Sequence, residues 1–377
     1  MTKPISLYFH IPYCRKKCAY CDFYSGGVRI ADWKALNSSF IRELKLRAVE
    51  WRDRVIVSIY FGGGTPSLMP PEYLENLAND IRKVIDEEAS LSEDCEFTLE
   101  ANPEDINDRN INTWKRCGIN RISLGIQTFD NAILTRMGRT HTGEEAISAF
   151  RSLRNFFDNI STDLIFGLPD QTLEDLRKDL KTMLSLHPNH ISIYSLMYEP
   201  GTSLTLLRDK GKVKAADEEM TEVMFQDISA TLAKAGYIRY ETSNYALPGY
   251  ESRHNSGYWT GRAYIGIGPS AHSYDGELKR KANSADLKGY LLDTYNIIEE
   301  NLTQQERIEE RIMLGLRMKK GIDLVMFQKD FGAAHLRKLL QKAEKGLRLG
   351  NLAITDDHLR VSEKGIMISD TLIVELF

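Results

Sequence analysis

Short runs of β-branched and aromatic residues alternate with longer helical patterns over the first two-thirds of the chain. The alternation predicts strands at 5–11 ("ISLYFHI"), 55–61 ("VIVSIYF") and 95–101 ("CEFTLEA"). It predicts further strands at 121–125 ("RISLG"), 159–166 ("NISTDLIF") and 190–196 ("HISIYSL"). Helical spacing fills 32–51, 71–88, 105–116, 130–137, 143–156, 172–186 and 217–235. Strands and helices in strict series imply the α/β class, with a parallel sheet and helices outside it. Closure of the sheet is not visible, and two units are missing from a full eight-unit barrel.

After residue 240 the texture changes. "ETSNYALPGYESRHNSGYWTGRAYIGIGPSAHSY" has little periodicity and is rich in Gly, Ser, Asn and Tyr. It reads as a long irregular segment, of the kind that is functional or flexible. From about 286 the pattern is mainly helical, with a hairpin in "NLAITDDHLRVS" around Asp356 and Asp357. The chain therefore divides into 1–240, 241–285 and 286–377. Helices followed by a hairpin resemble a winged helix. The charge there is nearly balanced, with no basic stripe, so nucleic acid is not expected as a partner.

Composition changes this picture little. Hydrophobic residues make up 42% and charged ones 27%, with a net charge of −4. Such a balance gives no general attraction to nucleic acid or anionic membrane. No apolar run approaches the ~20 residues of a spanning helix, and "MTKPISLYFHI" lacks the marks of a signal peptide. A cytoplasmic chain is expected, with membrane association only through partners. Thiols stay reduced in that compartment, so clustered cysteines point to metal.

Cys14, Cys18 and Cys21, in "YFHIPYCRKKCAYCDF", are three of the five cysteines and directly follow the first strand. Cys95 and Cys117 stand alone and read as buried small apolar residues. Thiolates suit zinc or iron–sulfur centres. Structural zinc takes four ligands, often in paired C-x2-C elements, and no second pair exists here. A [4Fe–4S] cluster on three cysteines leaves one iron open to an exchangeable ligand. Arg15, Lys16 and Lys17 are placed to offset cluster charge, or form a solvated basic loop.

C-x3-C-x2-C in this position resembles the signature of the radical S-adenosylmethionine (SAM) superfamily. The resemblance implies a partial (β/α)6 TIM-like barrel with a smaller, mostly helical, winged-helix-like C-terminal domain. It also implies SAM chelated by the open iron, and a low-potential electron donor of flavodoxin or ferredoxin type. "FGGGTP" (61–66) closes the second strand, where the superfamily's GGTP motif contacts SAM; Gly63, Gly64 and Thr65 match it. Read alone, it is a tight strand-to-helix turn.

Asp163 lies inside an apolar strand, which is costly unless it faces a polar site. Glu100 and Gln127 stand at strand ends, where parallel barrels place their active sites. These three suit the ammonium and hydroxyls of SAM, and Arg139 suits its carboxylate. The resemblance narrows to the coproporphyrinogen III oxidase-like (HemN-like) branch, which adds Tyr8 and Tyr20 as walls of the site.

Within that branch the oxidases carry a fourth cysteine two places after the third, and an arm before the first strand. Here Phe23 occupies that place and the strand begins near residue 5. "RHNSGYW" matches the H-N-x-x-Y-W motif of the haem-chaperone group. His254 is then a candidate axial ligand for haem, with Asn255 beside it and Tyr258 and Trp259 as flat apolar surface. The residues alone also suit a satisfied loop histidine beside two aromatics. His10 and His272 are rival ligands.

The expected protein binds a [4Fe–4S] cluster, SAM and haem and passes haem to acceptor haemoproteins. Whether it is also an enzyme is left open. The alternatives are an oxidoreductase that decarboxylates coproporphyrinogen III, and a zinc-stabilised interaction protein. A homodimer is compatible with the sequence.

Overall fold

The computed structural model describes residues 3–377. Six parallel strands form its centre: β1 (Pro4–Ile11), β2 (Val55–Gly63), β3 (Ser90–Ala101), β4 (Arg121–Gln127), β5 (Asn159–Phe166) and β6 (His190–Ser195). They are hydrogen-bonded in chain order. The helices between them bury one apolar stripe each. Pro71–Glu88 buries Leu74, Leu77, Ala78, Ile81, Val84 and Ile85, a helical repeat set against the sheet. Entry into these helices is fixed locally. Thr142 with Glu145, and Thr172 with Asp175, form capping boxes. The predicted helix 32–51 is broken at Arg47 into Trp33–Leu46 and Ala48–Trp51.

The segment 241–285 is not irregular. Asn244–Ala246 (β7) pairs antiparallel with β6, extending one edge. Tyr264–Ile267 (β8) pairs parallel with β1, matching Ser6 to Tyr264 and Phe9 to Ile267, and extends the other. Strands of three and four residues carry too little alternation to be read from sequence. Three further antiparallel strands continue beyond β8, and Ile238–Arg239 pairs antiparallel beyond β7, to a 12-stranded open sheet.

Between β7 and β8, Arg253–Trp259 is a helix. It enters beneath the barrel at the N-terminal ends of the strands. Glu96 of β3 receives the backbone N–H of Arg253 and of His254, each at 3.0 Å, and the Ser252 hydroxyl at 3.3 Å. A carboxylate on the free N–H groups of a helix start is favourable by charge and by hydrogen bonding.

One hydrophobic core joins residues 5–290, while a second joins 308–376. The second lies under a three-stranded sheet in which Leu352–Thr355 and His358–Val361 form a hairpin. Asp356 and Asp357 both have positive φ, 48° and 59°, as a two-residue type I′ turn requires. Among the described residues no helix is long and apolar enough to cross a membrane.

Candidate cluster and cofactor site

On all six central strands the residues facing the barrel interior are largely polar, and they recur at every second position. Ser6, Tyr8 and His10 alternate along β1; Ser58 and Tyr60 along β2; Glu96, Thr98 and Glu100 along β3. Arg121 and Ser123, Ser161 and Asp163, and His190 and Ser192 continue the pattern on β4, β5 and β6. Strand pairing aligns Glu100 with Ser123, Ser161 and His190 across four strands. The apolar partners at the intervening positions pack against the outer helices.

A cavity of about 500 Å³ runs from the cysteine loop down this polar interior. Cys18, Cys21 and Tyr20 line its upper end, with Gly63, Gly64 and Thr65 beside them. Glu100, Gln127, Arg139 and Asp163 line its wall, and Asn255 of the lower helix lines its floor. Tyr8 stands behind this wall, its ring 6.0 Å from that of Tyr60, with its hydroxyl 3.1 Å from His10 Nδ1.

The cysteine loop is pinned by its backbone. Ala19 N–H donates to Met137 O at 2.9 Å, and Leu204 N–H donates to Ala19 O at 2.8 Å. Cys14 Sγ accepts from the Thr65 hydroxyl at 3.4 Å, and Cys18 Sγ accepts from Arg139 Nη1 at 3.6 Å. All three thiols are partly exposed; Cys95 and Cys117 are buried. In a four-iron cluster each cysteine binds a different iron, so the thiols need not converge on one point, as a single ion requires. Arg15 is not free to balance a cluster's charge, because it is ion-paired with Asp105, which also accepts from Ser67 at 2.6 Å.

The glycines set the upper wall. A Cβ on Gly64 would lie 2.6 Å from Tyr13 O, and one on Gly63, at φ 110°, would lie 2.6 Å from the His10 ring. Gln127 ends β4 at φ 74° although it is not glycine. Backbone held in that region costs ~1–3 kcal/mol and concentrates at sites of function.

Glu100 accepts from the Tyr60 hydroxyl at 2.8 Å and from Gly63 N–H at 3.1 Å. Asp163 accepts from the hydroxyls of Ser123 and Ser161. All these donors are neutral. Burial pushes Glu100 up to about 7, and repulsion from Asp163 adds to it. Burial likewise pushes Asp163 up to about 6, against hydrogen bonds from Ser192 and Ser123. Two buried carboxylates hydrogen-bonded only to neutral donors, with Arg121 the one cation acting on Asp163, make a receptor for a cation. Arg139 is fixed by Asn102 Oδ1 at 2.9 Å and Gly125 O at 2.6 Å, while its buried Nε has no partner. Thr98 Oγ1, also on the cavity wall, is another buried atom without a partner. A cationic sulfonium amino acid fits these groups: carboxylates for its positive centres, Arg139 for its carboxylate.

The H-N-x-x-Y-W motif lies elsewhere than on an outward-facing segment. His254 is 2% exposed. Its Nδ1 lies 3.0 Å from Ser58 Oγ and its Nε2 lies 2.9 Å from the Tyr258 hydroxyl. Its ring packs 4.8 Å from that of Tyr60, and burial pushes its imidazole down to about 3. With both nitrogens engaged inside the barrel, His254 has none to offer an iron. Tyr258 and Trp259 are half-buried on the same helix. Of the rivals, His10 is buried between Tyr8 and Tyr24 O, and His272 is exposed on a short strand.

Sequence reasoning missed Tyr60, Asn102, Ser123, Ser161, Ser192 and His190. The signal was present as the period-two polar positions in otherwise apolar strands.

Comparison with known proteins identifies the family and the fold. Residues 8–183 match the radical SAM superfamily, and residues 302–368 match the HemN C-terminal domain. The chain is 38% identical to "Heme chaperone HemW" of Lactococcus lactis subsp. lactis (strain IL1403), over 88% of this chain and 86% of that protein. It is 33% identical to the protein of the same name from Escherichia coli (strain K12), over 99% and 98%. The solved structure of coproporphyrinogen III oxidase (HemN) from Escherichia coli superposes with a TM-score of 0.83 at 22% identity, covering 100% of this chain and 90% of that one. That likeness concerns the fold. Motif, fold and relatives together place the chain in the HemW family of the radical SAM superfamily.

Proposed function

We propose that this chain binds a [4Fe–4S] cluster and SAM in the barrel, binds haem, and hands haem to acceptor haemoproteins. Cys14, Cys18 and Cys21 would hold the cluster; Glu100, Gln127, Arg139, Asp163 and the Gly63–Thr65 turn would hold SAM. When bound, the cluster would supply an open iron and, given a flavodoxin- or ferredoxin-type donor, a low-potential electron. The chain's own residues orient the ligand and shield it from water. The observation that carries the reading is the one cavity lined by Cys18 and Cys21, with Cys14 on the same loop, and by two carboxylates hydrogen-bonded to neutral donors, in a chain whose relatives are named heme chaperones.

The test is an anaerobic haem titration of cluster-loaded protein, with and without SAM, followed by assay for 5′-deoxyadenosine. Saturable haem binding with transfer to an apo-haemoprotein supports the reading. Conversion of coproporphyrinogen III to protoporphyrinogen under strong reduction would replace it with a decarboxylase. Zinc without iron or sulfide would remove both.

A further inference from the structure

A second cavity, of about 470 Å³, lies outside the barrel against the C-terminal domain. Its size falls in the ~300–1,000 Å³ range of cofactor sites. It stands back to back with the barrel cavity. Ile165 and Tyr194 line the inner cavity, while the next residue on each strand, Phe166 and Ser195, lines the outer one. Successive strand residues face opposite sides, so two strand ends form a wall one residue thick. Ser195 borders both cavities.

The outer cavity is amphipathic. Phe166, Phe225, Leu316, Val361 and Ile366 supply apolar walls from both domains. Arg239, Arg317, Lys319 and Arg360 supply positive charge, in excess over Glu363 and Asp370 on the same lining. Arg317 meets Asp370 at 3.4 Å, an exposed pair; Arg239 lies over the Phe225 ring at 5.7 Å. Met318 and Met367 bring two thioethers to the same space.

We infer that this cavity is the haem site, an inference that rests on the reading of the chain as a haem carrier. Haem is a flat apolar ring with two carboxylates on one edge. Apolar walls take the ring, guanidinium groups take the carboxylates, and a thioether is an established axial ligand of haem iron. The site leaves His254 in its place beneath the barrel. It also sets haem across one layer of backbone from the SAM cavity, so that filling either bears on the same strand ends.

The experiment is an anaerobic haem titration of the full-length, cluster-loaded protein, followed in the Soret band. The Arg239→Glu/Arg360→Glu double variant reverses charge at the rim, and Ala353→Trp fills the cavity. Each should weaken haem binding about tenfold or more, with iron and sulfide content unchanged. Met318→Ala or Met367→Ala should shift the Soret maximum. Arg109→Glu, at an exposed pair with Glu72 far from the cavity, should bind haem as the parent does. Should one variant fail to fold by circular dichroism, the other decides. Unchanged affinity in a folded variant overturns the site while the haem reading stands. If the parent protein binds no haem, both fall together.

Discussion

Replacing His254 with Ala separates a buried structural histidine from an exposed haem ligand. The substitution removes a ring packed 4.8 Å from Tyr60 and 5.1 Å from Tyr258, leaving a cavity worth ~2 kcal/mol at the low end of large-to-small changes. It breaks two hydrogen bonds at ~1 kcal/mol each. Ser58 keeps Ser6 as a partner at 2.8 Å, so its hydroxyl adds no full desolvation cost. The expected loss is about 4 kcal/mol, a large share of the ~5–15 kcal/mol that holds a typical protein folded. All four tryptophans, at 33, 51, 114 and 259, precede the C-terminal core. Intrinsic fluorescence during anaerobic urea unfolding therefore reports the barrel alone. The variant should unfold at markedly lower urea with an unchanged slope, and its folded fraction should titrate with haem as the parent does. A variant within ~0.5 kcal/mol of the parent that no longer binds haem would refute the placement of this side chain.

Cys18→Ala should abolish the cluster, read as loss of iron and sulfide from anaerobically reconstituted protein, while haem binding persists because the two sites lie on opposite faces of β5 and β6. Gly64→Ala drives a methyl group to 2.6 Å from Tyr13 O and 2.8 Å from Ile11 O; it should cost ~1–3 kcal/mol and eliminate the effect of SAM on the cluster's paramagnetic signal. Burial raises Glu100 from 4.5 to about 7 in the folded protein. The folded state therefore holds a proton that the unfolded chain has released, and stability falls as pH rises through that window. Glu100→Gln should flatten this dependence in cluster-free protein, measured as urea midpoints from pH 5 to 8; an unaltered slope would place the titration elsewhere.

The strands and helices of the barrel were legible because each rests on contacts a few residues apart. Alternation gives a strand and a repeat of three to four gives a helix; all six predicted strands were found, five within two residues of their expected bounds and β3 starting five residues earlier, at Ser90. The hairpin at Asp356–Asp357 was legible for the same reason: two residues tolerant of positive φ sit between alternating runs. The cysteine loop was legible because its three thiols are carried by eight consecutive residues, so that no fold has to bring them together.

What the sequence could not decide were pairings between distant segments. β8 reads as four residues of a Gly-rich tract until β1 offers it a partner more than 250 residues away. Arg15 looks available to a cluster until Asp105 takes it. His254 looks like a displayed ligand until Glu96, Ser58 and Tyr60, from two different strands, enclose it. The family's chemistry was thus written locally, in a spacing of thiols. The place of each polar group relative to that chemistry was set by tertiary packing, because burial and hydrogen bonding depend on which residues the chain brings near, and only the assembled sheet with its covering helices fixes those neighbours.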